Sequence, residues 1–432
     1  MKLNIFVVIF ATAGVLYWGC SGSRRTVSPE KEAPTPPIEV PAVVPPAPLA
    51  AELFAGKIRA GAERCRAYLP SLLGKRVGVV VNQASLVSGA HLIDTLLALQ
   101  VNVTTIFAPE HGFRGRAADG ELVDDEIDGH SGLPIVSLYG RSKQLQPEQL
   151  ADLDVVVFDL QDVGVRFYSY LSTLHYVMRA CALADKQLFV LDRPNPNGHY
   201  VDGPVLEGSY RSFVGMHPVP LVYGMTIGEY ARMINGEGWL GDELECPLAV
   251  IPCAGYDHRS FYRLPVKPSP NLPNMRAIYL YPSLALFEGT VVSVGRGTDR
   301  QFQVYGAPGF EAGEYRFVPQ PNEGSTHPPQ QGRECVGFDL SKLPIDRLQD
   351  RTRLELSYLL DFYREYPDPA RFFREDGYFD LLAGTGTLRR QIEHGFDEEM
   401  IRASWEADLV DFLEIRRQYL LYLDFLPSSD LH

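Results

Sequence analysis

The chain has 432 residues, of which 45% are apolar and 22% charged, the proportions of a globular protein long enough for two or three domains. Forty Lys and Arg residues against 54 Asp and Glu residues give a formal net charge of −14. This balance argues against a nucleic-acid-binding protein, which needs a basic surface to contact phosphates. It leaves a small or neutral polymeric substrate open.

Residues 1–20 predict a targeting segment that is not part of the fold. Met1-Lys2 precedes an apolar run over 5–18, and Gly19-Cys20 follows it, as in a secretory signal that is processed before a lipid-bearing cysteine. Ordinary secretion is the alternative, because the residues before Gly19 are bulkier than such a site usually shows. Residues 21–50, rich in Pro and Ala, predict an extended spacer. We therefore expect a cell-envelope lipoprotein, periplasmic or outer-membrane, with its membrane anchor on Cys20.

Apolar runs and helical patterns alternate in the first half of the chain. Four short apolar runs predict buried strands, at 76–81, 103–107, 155–160 and 188–191. The clearest helical pattern between them covers 171–185. Continuous apolar strands separated by helices predict a parallel sheet covered on both faces, which is an α/β fold.

Polar side chains follow all four predicted strands. They are Asn82, Glu110, Asp162 and Asp192. Parallel strands place their carboxyl ends along one edge of the sheet, and open α/β sheets bind ligands outside that edge. We therefore expect the four residues to converge on one crevice. The alternative for any one of them is that it caps the helix that follows.

The second half of the chain has a different organisation. Its patterns predict an extended Pro-rich connector at 264–273, a strand at 291–294, a surface loop at 319–333 and two helices at 354–366 and 401–423. We place the boundary between two domains, 51–264 and 265–432, in the connector.

Five cysteines follow Cys20, and this odd number leaves at least one free thiol. Cys246 and Cys253 are close enough in sequence for a disulfide across a short loop, whereas Cys181 lies in an apolar helical pattern and is expected in the core. The spacing matches no zinc site. We expect no metal and no cofactor.

Carboxylate chemistry is the reaction type that the remaining residues favour. A nucleophile elbow, a dinucleotide fingerprint, a phosphate loop and a zinc-protease motif are each incomplete or absent in the sequence. Hydrolysis of a glycosidic bond usually takes two carboxyl groups, of which one is protonated. Glu110 follows a proline between two phenylalanines, and apolar surroundings favour a proton donor. Asp162 and Glu288 are the candidate partners, whereas Asp159 and Glu229 are interpreted as structural.

Arginines and aromatic residues adjoin the same loops. An anionic group on the substrate would explain the arginines, because guanidinium pairs well with carboxylate; the alternative is that they neutralise the site's own acids. The aromatic residues are expected to form either a sugar-stacking wall or part of the core. The arginines are Arg114, Arg166, Arg193 and Arg296, and the aromatic residues are Phe167, Tyr168 and Tyr170.

With these motifs the chain resembles the exo-acting β-N-acetylmuramidases, a family long known only as a bacterial domain of unknown function. The resemblance runs from about residue 73 to residue 423. The matching motifs are PEHGFRG at 109–115, SLYG at 137–140, FDLQDVGVRFY at 158–168, LDRPNP at 191–196, SFVG at 212–215, YGMTIGE at 223–229, PSPNLP at 268–273, EGT at 288–290 and GRGT at 295–298.

The resemblance implies an enzyme that removes N-acetylmuramic acid from the non-reducing ends of peptidoglycan chains. It also implies a Rossmann-like N-terminal domain, a smaller C-terminal α/β domain and an active-site cleft between them. The family's proposed catalytic glutamate matches Glu110, and the lactyl carboxylate of muramic acid would give the arginines a partner. Ala118-Asp119-Gly120 departs from the family's usual Asp-Ala-Gly order, which leaves open any role for an acid in that loop.

Together these observations predict an exo-acting glycoside hydrolase with Glu110 as general acid and either Asp162 or Glu288 as the second carboxylate. Retention, inversion and assistance by the substrate's acetamido group stay open. The alternatives are a non-catalytic envelope lipoprotein that binds muropeptides or wall glycan, and an amidase or esterase. The residues predicted to bind substrate are Asn82, His111, Arg114, Gln161, Arg166, Asp192, Arg193 and Arg296.

Overall fold

The computed structural model describes residues 57–114, 125–139 and 143–426. All of them belong to one compact unit of the chain, Pro46–His432. The predicted signal segment, the spacer, Cys20 and Ala118-Asp119-Gly120 lie outside the described residues.

A seven-stranded sheet forms the centre of the first half. In chain order the strands of this half are β1 (Arg76–Val81), β2 (Leu86–Val87), β3 (Ala90–His91), β4 (Asn102–Ala108), β5 (Glu126–Ile127), β6 (Pro134–Ser137), β7 (Val155–Asp159), β8 (Gln187–Leu191) and β9 (Leu248–Ile251). Strands β2 and β3 form a separate hairpin. The other seven form the sheet in the order β5-β6-β4-β1-β7-β8-β9, in which every pair is parallel except β5 with β6. The six parallel strands follow the Rossmann order along the chain, so the predicted α/β fold is confirmed.

Helices cover both faces of this sheet, which explains the continuous apolar runs in its strands. The helices are α1 Cys65–Leu72, α2 Leu92–Ala98, α3 Tyr170–Leu183 and α4 Ile227–Gly236. Alternate residues of β1 enter different cores: Val80 belongs to the cluster of α3 and α4, whereas Val79 belongs to that of α1 and α2. The helix predicted at 171–185 is confirmed as α3.

The second half is a smaller α/β assembly. It begins with α5 (Met275–Leu284) and contains an antiparallel sheet of order β10-β12-β11. Its strands are β10 Val304–Ala307, β11 Tyr315–Phe317 and β12 Cys335–Asp339, and its later helices are α6 Ile345–Gln349, α7 Ser357–Glu365, α8 Tyr378–Ala383, α9 Thr387–Glu393, α10 Glu398–Ala403 and α11 Glu406–Arg417. No helix in the described part of the chain is long and apolar enough to cross a membrane.

Two predicted elements differ from the structure. The single helix expected at 401–423 is wrong, because α10 ends before Trp405, which is buried with φ −120°, and the chain leaves helical geometry after α11. The strand expected at 291–294 is also wrong, since Ser293 forms only an isolated bridge with Gly306. The connector at 264–273 and the loop at 319–333 lack helices and strands, as predicted.

The five described cysteines are all free. The disulfide suggested between Cys246 and Cys253 is therefore wrong. The Cys253 thiol instead points to the carbonyl of Asp192 at 3.3 Å, and the backbone of Cys246 pairs with the side chain of Asn235. Cys181 is buried in the core, as expected.

Candidate active site

A cavity of about 370 Å³ opens at the carboxyl edge of the seven-stranded sheet. Residues that follow β4, β6 and β7 line one side, and residues from the second half of the chain line the other. Its volume falls in the range of small-molecule sites. The Glu, His, Lys and Arg side chains that line it are Glu110, His111, Lys143, Glu288 and Arg296.

Glu110 owes its position to a tight turn after β4. The amide of Gly112 donates to the carbonyl of Pro109 at 2.9 Å, so the chain reverses directly around Glu110. The Ser169 hydroxyl, just before α3, donates to Glu110 Oε2 at 2.5 Å. Glu110 is 9% exposed. Its carboxyl group is thus oriented by a neighbour while it lines the cavity.

His111 adopts a backbone conformation that side chains rarely take, with φ +70°. A non-glycine residue in this left-handed region costs about 1–3 kcal/mol, and such strain concentrates at functional sites. The ring Nε2 lies 3.3 Å from the Ser269 hydroxyl oxygen, which belongs to the Pro-rich connector. His111 lines the cavity. The strained turn therefore presents two titratable side chains, Glu110 and His111, to the same space.

Glu288 approaches the cavity from the second half of the chain, in the short 3₁₀ turn Ala285–Gly289. Arg296 Nε donates to Glu288 Oε1 at 2.5 Å, and both side chains are largely buried. The guanidinium group also lies 5.2 Å from the centroid of the Phe302 ring. The cavity thus holds a second carboxylate beside a fixed cation.

Aromatic rings form one wall of the cavity. Phe167, Tyr168 and Tyr170 line it and are also buried, so they serve the cavity and the core together. Tyr168 meets Tyr170 edge to face at 4.9 Å between centroids, and Phe167 meets Tyr281 at 5.2 Å. Such packing holds the rings rigidly.

Asn82 and Gln161 lie behind the cavity and do not line it. Asn82 donates to the Tyr170 hydroxyl at 2.7 Å, so it positions a ring of the wall. Gln161 donates to the carbonyls of Asp162 and Pro194 at 2.8 and 2.9 Å, and so holds two loops together.

Asp162 is turned into the protein interior. Its Oδ2 accepts the Gly164 amide at 2.7 Å and the Tyr223 hydroxyl. Burial raises the pKa of Asp162 to about 6, against the lowering effect of these donors. Asp162 does not line the cavity.

Asp192 is also interior. Its carboxylate accepts hydrogen bonds from the Gly228 amide at 2.8 Å and from the Thr226 and Tyr422 hydroxyls at 2.7 and 2.5 Å. Burial raises the pKa of Asp192 to about 7. The expected convergence of four strand ends is therefore wrong for three of them. Only Glu110 reaches the cavity, because the other three side chains make their hydrogen bonds inside the fold.

Three of the four arginines neutralise acids of the protein itself. Arg193 forms a buried bidentate pair with Asp159, at 2.6 and 2.8 Å, and Arg114 pairs with Asp128 outside the cavity at 2.5 Å. Arg296, paired with Glu288, is the one of the four that lines the cavity. The structural interpretation of Asp159 is confirmed.

Arg166 pairs with no carboxylate in the described chain. Its guanidinium donates to four backbone carbonyls at 2.7–3.0 Å, those of Pro204, Val219, Leu382 and Ala383. Burial lowers the pKa of Arg166 to about 10. Since Leu382 lines the cavity, Arg166 fixes one part of the wall without reaching the cavity itself.

Several residues that line the cavity were not among those predicted from the sequence. Ser269 and Asn271 lie in the PSPNLP motif, so their polar side chains in a rigid frame could have been noticed. Asn271 Oδ1 and Ser212 Oγ are buried without a hydrogen-bond partner among the described residues, and both residues line the cavity. No sequence pattern marks Lys143 as a site residue, because its neighbour Phe213 is distant in sequence and lies beside it only in the fold. In the same described part of the chain, no cluster of His, Cys, Asp or Glu could hold a metal ion.

A Rossmann-ordered sheet with a carboxylate-bearing cavity at its carboxyl edge, completed by a second α/β assembly, defines a two-part α/β enzyme. The chain belongs to the exo-β-N-acetylmuramidase NamZ family. The N-terminal family model matches residues 77–276, and the C-terminal model matches residues 279–422.

Individual relatives agree with this assignment. The peptidoglycan β-N-acetylmuramidase NamZ of Bacillus subtilis (strain 168) is 37% identical over 377 residues, which cover 82% of this chain and 89% of that protein. A crystal structure of a DUF1343 family protein from Bacteroides fragilis NCTC 9343 has a TM-score of 0.79 and 45% identity, covering 85% of this chain and 100% of that one. A second DUF1343 structure from the same organism has a TM-score of 0.71 and 29% identity, covering 84% and 99%.

Proposed function

We propose that this protein is an exo-acting glycoside hydrolase that releases N-acetylmuramic acid from the non-reducing ends of peptidoglycan fragments. The observation that carries the proposal is the Glu110 carboxyl group, which lines the cavity and is oriented by the Ser169 hydroxyl at 2.5 Å. The Bacillus subtilis relative, a peptidoglycan β-N-acetylmuramidase, supports the substrate class.

Glu110 acts as the general acid and donates its proton to the glycosidic oxygen as the bond to the sugar breaks. Glu288 is the second carboxylate of the same cavity, and its ion pair with Arg296 suits an anionic role beside the positive charge that develops on the sugar ring. Asp162, the other candidate for that role, is interior.

Polar groups around the two carboxylates suit a sugar ligand. Asn271 Oδ1 offers a buried acceptor and Ser212 Oγ a hydroxyl, each without a partner in the described structure. His111 lines the same space beside Glu110. Hydroxyl and acetamido groups of a sugar would satisfy these atoms, while its ring faces the aromatic wall.

The test uses a chromogenic β-N-acetylmuramide and the matching glucosaminide. We expect the wild type to hydrolyse the muramide, and Glu110→Gln to lower kcat by about 10²–10⁴, the usual contribution of a general acid. The loss should shrink for a dinitrophenyl leaving group, which departs without protonation. Absence of turnover with intact binding of the muramide would favour the non-catalytic alternative, and near-normal turnover by Glu110→Gln would remove Glu110 from its role.

Proton NMR of the first-formed anomer decides between mechanisms. A β-anomer as first product indicates retention, by a covalent or acetamido-assisted route, and an α-anomer indicates inversion. The measurement needs only the wild-type enzyme and the same muramide.

We also propose that the protein is a cell-envelope lipoprotein attached through Cys20, on the strength of the apolar run at 5–18 and the Gly19-Cys20 pair. Cys20→Ala is expected to move the protein from the membrane fraction to the soluble fraction and to abolish labelling by a radioactive fatty acid. Cys65→Ala is the matched control and should change neither. Retention of the Cys20→Ala protein and its label in the membrane fraction would contradict the proposal.

A further inference from the structure

The cavity holds a cation that makes no ion pair within the described part of the chain. Lys143 Nζ lies 4.3 Å from the ring centroids of both Tyr139 and Phe213. It donates one hydrogen bond, to the Tyr139 hydroxyl at 3.2 Å. An ammonium group carries three donors, so two of them have no protein acceptor among the described residues. The two rings hold the charge in place without neutralising it.

The fold places Lys143 next to the loop that carries Glu110. Strands β4 and β6 are parallel neighbours, with Ala108 opposite Ser137, and the Leu138 amide donates to the Ala108 carbonyl at 2.7 Å. The two segments therefore leave the sheet edge side by side; Glu110 follows the first in sequence, and Lys143 follows the second. Both residues line the same cavity.

Two serines at the start of helix α3 hold the Phe213 segment and the Glu110 loop. The Ser172 hydroxyl donates to the carbonyl of Phe213 at 2.7 Å, so it holds the segment whose ring lies under Lys143. Ser169, three residues earlier, donates to Glu110. Lys143 and Glu110 are thus held relative to the same helix start, as a binding group and a reacting group must be.

The arginines cannot supply an unpaired charge at this site. Arg296 is paired with Glu288, and the guanidinium groups of Arg114, Arg166 and Arg193 do not line the cavity. N-Acetylmuramic acid differs from N-acetylglucosamine by a lactyl ether that ends in a carboxylate. The chemistry of an unpaired ammonium group matches this carboxylate, because the opposite charges form a charge-assisted hydrogen bond.

We propose that Lys143 binds the lactyl carboxylate of the terminal muramic acid residue and is a specificity-determining residue of the enzyme. The inference rests on the proposed function, whose substrate it refines. Lys143 would also distinguish glycan ends with a stem peptide from ends without one, because a stem peptide converts the lactyl carboxylate into a neutral amide. Ends without a stem peptide are the preferred substrates.

The test compares three chromogenic glycosides: the β-N-acetylmuramide, its lactyl methylamide and the β-N-acetylglucosaminide. Lys143→Met is expected to raise KM for the muramide by about 10- to 100-fold, the worth of a charged contact in a partly buried site, with kcat within about threefold. Lys143→Arg should restore most of the affinity. The methylamide and the glucosaminide should show no such dependence on residue 143.

Controls separate this inference from loss of structure and from failure of the proposed function. Lys267→Met removes an exposed lysine of the connector that does not line this cavity, and it should leave KM unchanged. Calorimetry with free N-acetylmuramic acid measures binding without turnover. Lys143-dependent binding by a protein that cleaves none of the glycosides would support the Lys143 site and contradict the proposed hydrolase function. Equal losses on the muramide and on its methylamide, in a variant with wild-type melting temperature, would overturn the role of Lys143.

Discussion

Some carboxyl groups at the sheet edge face the cavity, and others face the protein interior. Glu110 and Glu288 line the cavity, whereas Asp162 and Asp192 accept hydrogen bonds from donors inside the fold. An interior carboxyl group cannot transfer a proton to a bound sugar, because transfer requires hydrogen-bond reach. This difference favours Glu288 over Asp162 as the second carboxylate, and a comparison of one variant of each residue tests the choice.

We expect Glu288→Gln to lower kcat by about 10²–10³, because the amide cannot carry the negative charge that the developing sugar cation needs. Asp162→Asn should keep kcat within about threefold. Its amide oxygen can accept from the Gly164 amide and the Tyr223 hydroxyl as Asp162 Oδ2 does. Initial rates on the chromogenic muramide measure both. The reverse ranking of the two variants would assign the second role to Asp162.

Sequence patterns predicted the strand ends but not the directions of their side chains. An apolar run followed by Asn82, Asp162 or Asp192 indicates where a parallel strand stops. Whether the side chain then faces a cavity depends on distant donors, such as Tyr223 for Asp162 and Tyr422 for Asp192. Such partners are far away in sequence, so no local pattern contains them.

Among the structural elements, the loop after β7 and the end of α8 depend on one buried side chain. Arg166 lies in that loop and donates to the carbonyls of Leu382 and Ala383, at the C-terminal end of α8. Gly384 follows with φ +76°, and a Cβ there would lie 2.5 Å from Arg166 Nη2. The cavity wall from the second half of the chain is thus attached to the sheet through this guanidinium group.

Arg166→Met is expected to lower the free energy of unfolding by about 3–5 kcal/mol, because four carbonyls lose their donor at once. Urea denaturation at pH 7 measures the change. Arg364→Met is the matched control, since it removes an exposed i,i+3 ion pair with Asp361, and such pairs contribute about 0–1 kcal/mol. Equal effects of the two variants would refute the structural role of Arg166.

The helix prediction succeeded for an element that lies inside one core and failed for a pattern that spans two helices. Helix α3 is confirmed, and its apolar residues are buried in a single core cluster. The pattern at 401–423 continues past Trp405, although the structure breaks there into α10 and α11. Trp405 is buried, so tertiary packing overrides a periodic pattern that looks continuous.

At the scale of the whole molecule, the C-terminal segment of the second half forms hydrogen bonds with residues of the first half. The Tyr422 hydroxyl donates to Asp192, and the Leu421 amide donates to Glu229 at 2.7 Å. Glu229 itself completes the capping box of α4 and contacts His258 at 3.1 Å, which confirms its structural interpretation. A domain boundary at 264/265 stays a prediction, but the two parts share buried polar contacts, so they are expected to unfold together.

The buried Asp162 makes the stability of the whole molecule depend on pH. Its pKa is about 6 in the fold against an ordinary value of 3.8, so the folded protein keeps a proton that the unfolded chain has lost. The stabilising effect of this proton is complete below pH 3.8 and is lost as pH rises toward 6. At 1.36 kcal/mol per pKa unit the effect is about 3 kcal/mol.

Asp162→Asn imitates the neutral acid and should remove this dependence. Between pH 4 and pH 7, the free energy of unfolding of the wild type is expected to fall by about 2.4 kcal/mol relative to that of the variant. Urea denaturation at half-unit pH intervals measures the difference, which cancels the titration of groups common to both proteins. Exposed Asp152→Asn serves as the control and should run parallel to the wild type. A constant difference between the wild type and Asp162→Asn across this range would show that Asp162 is ionised in the folded protein throughout.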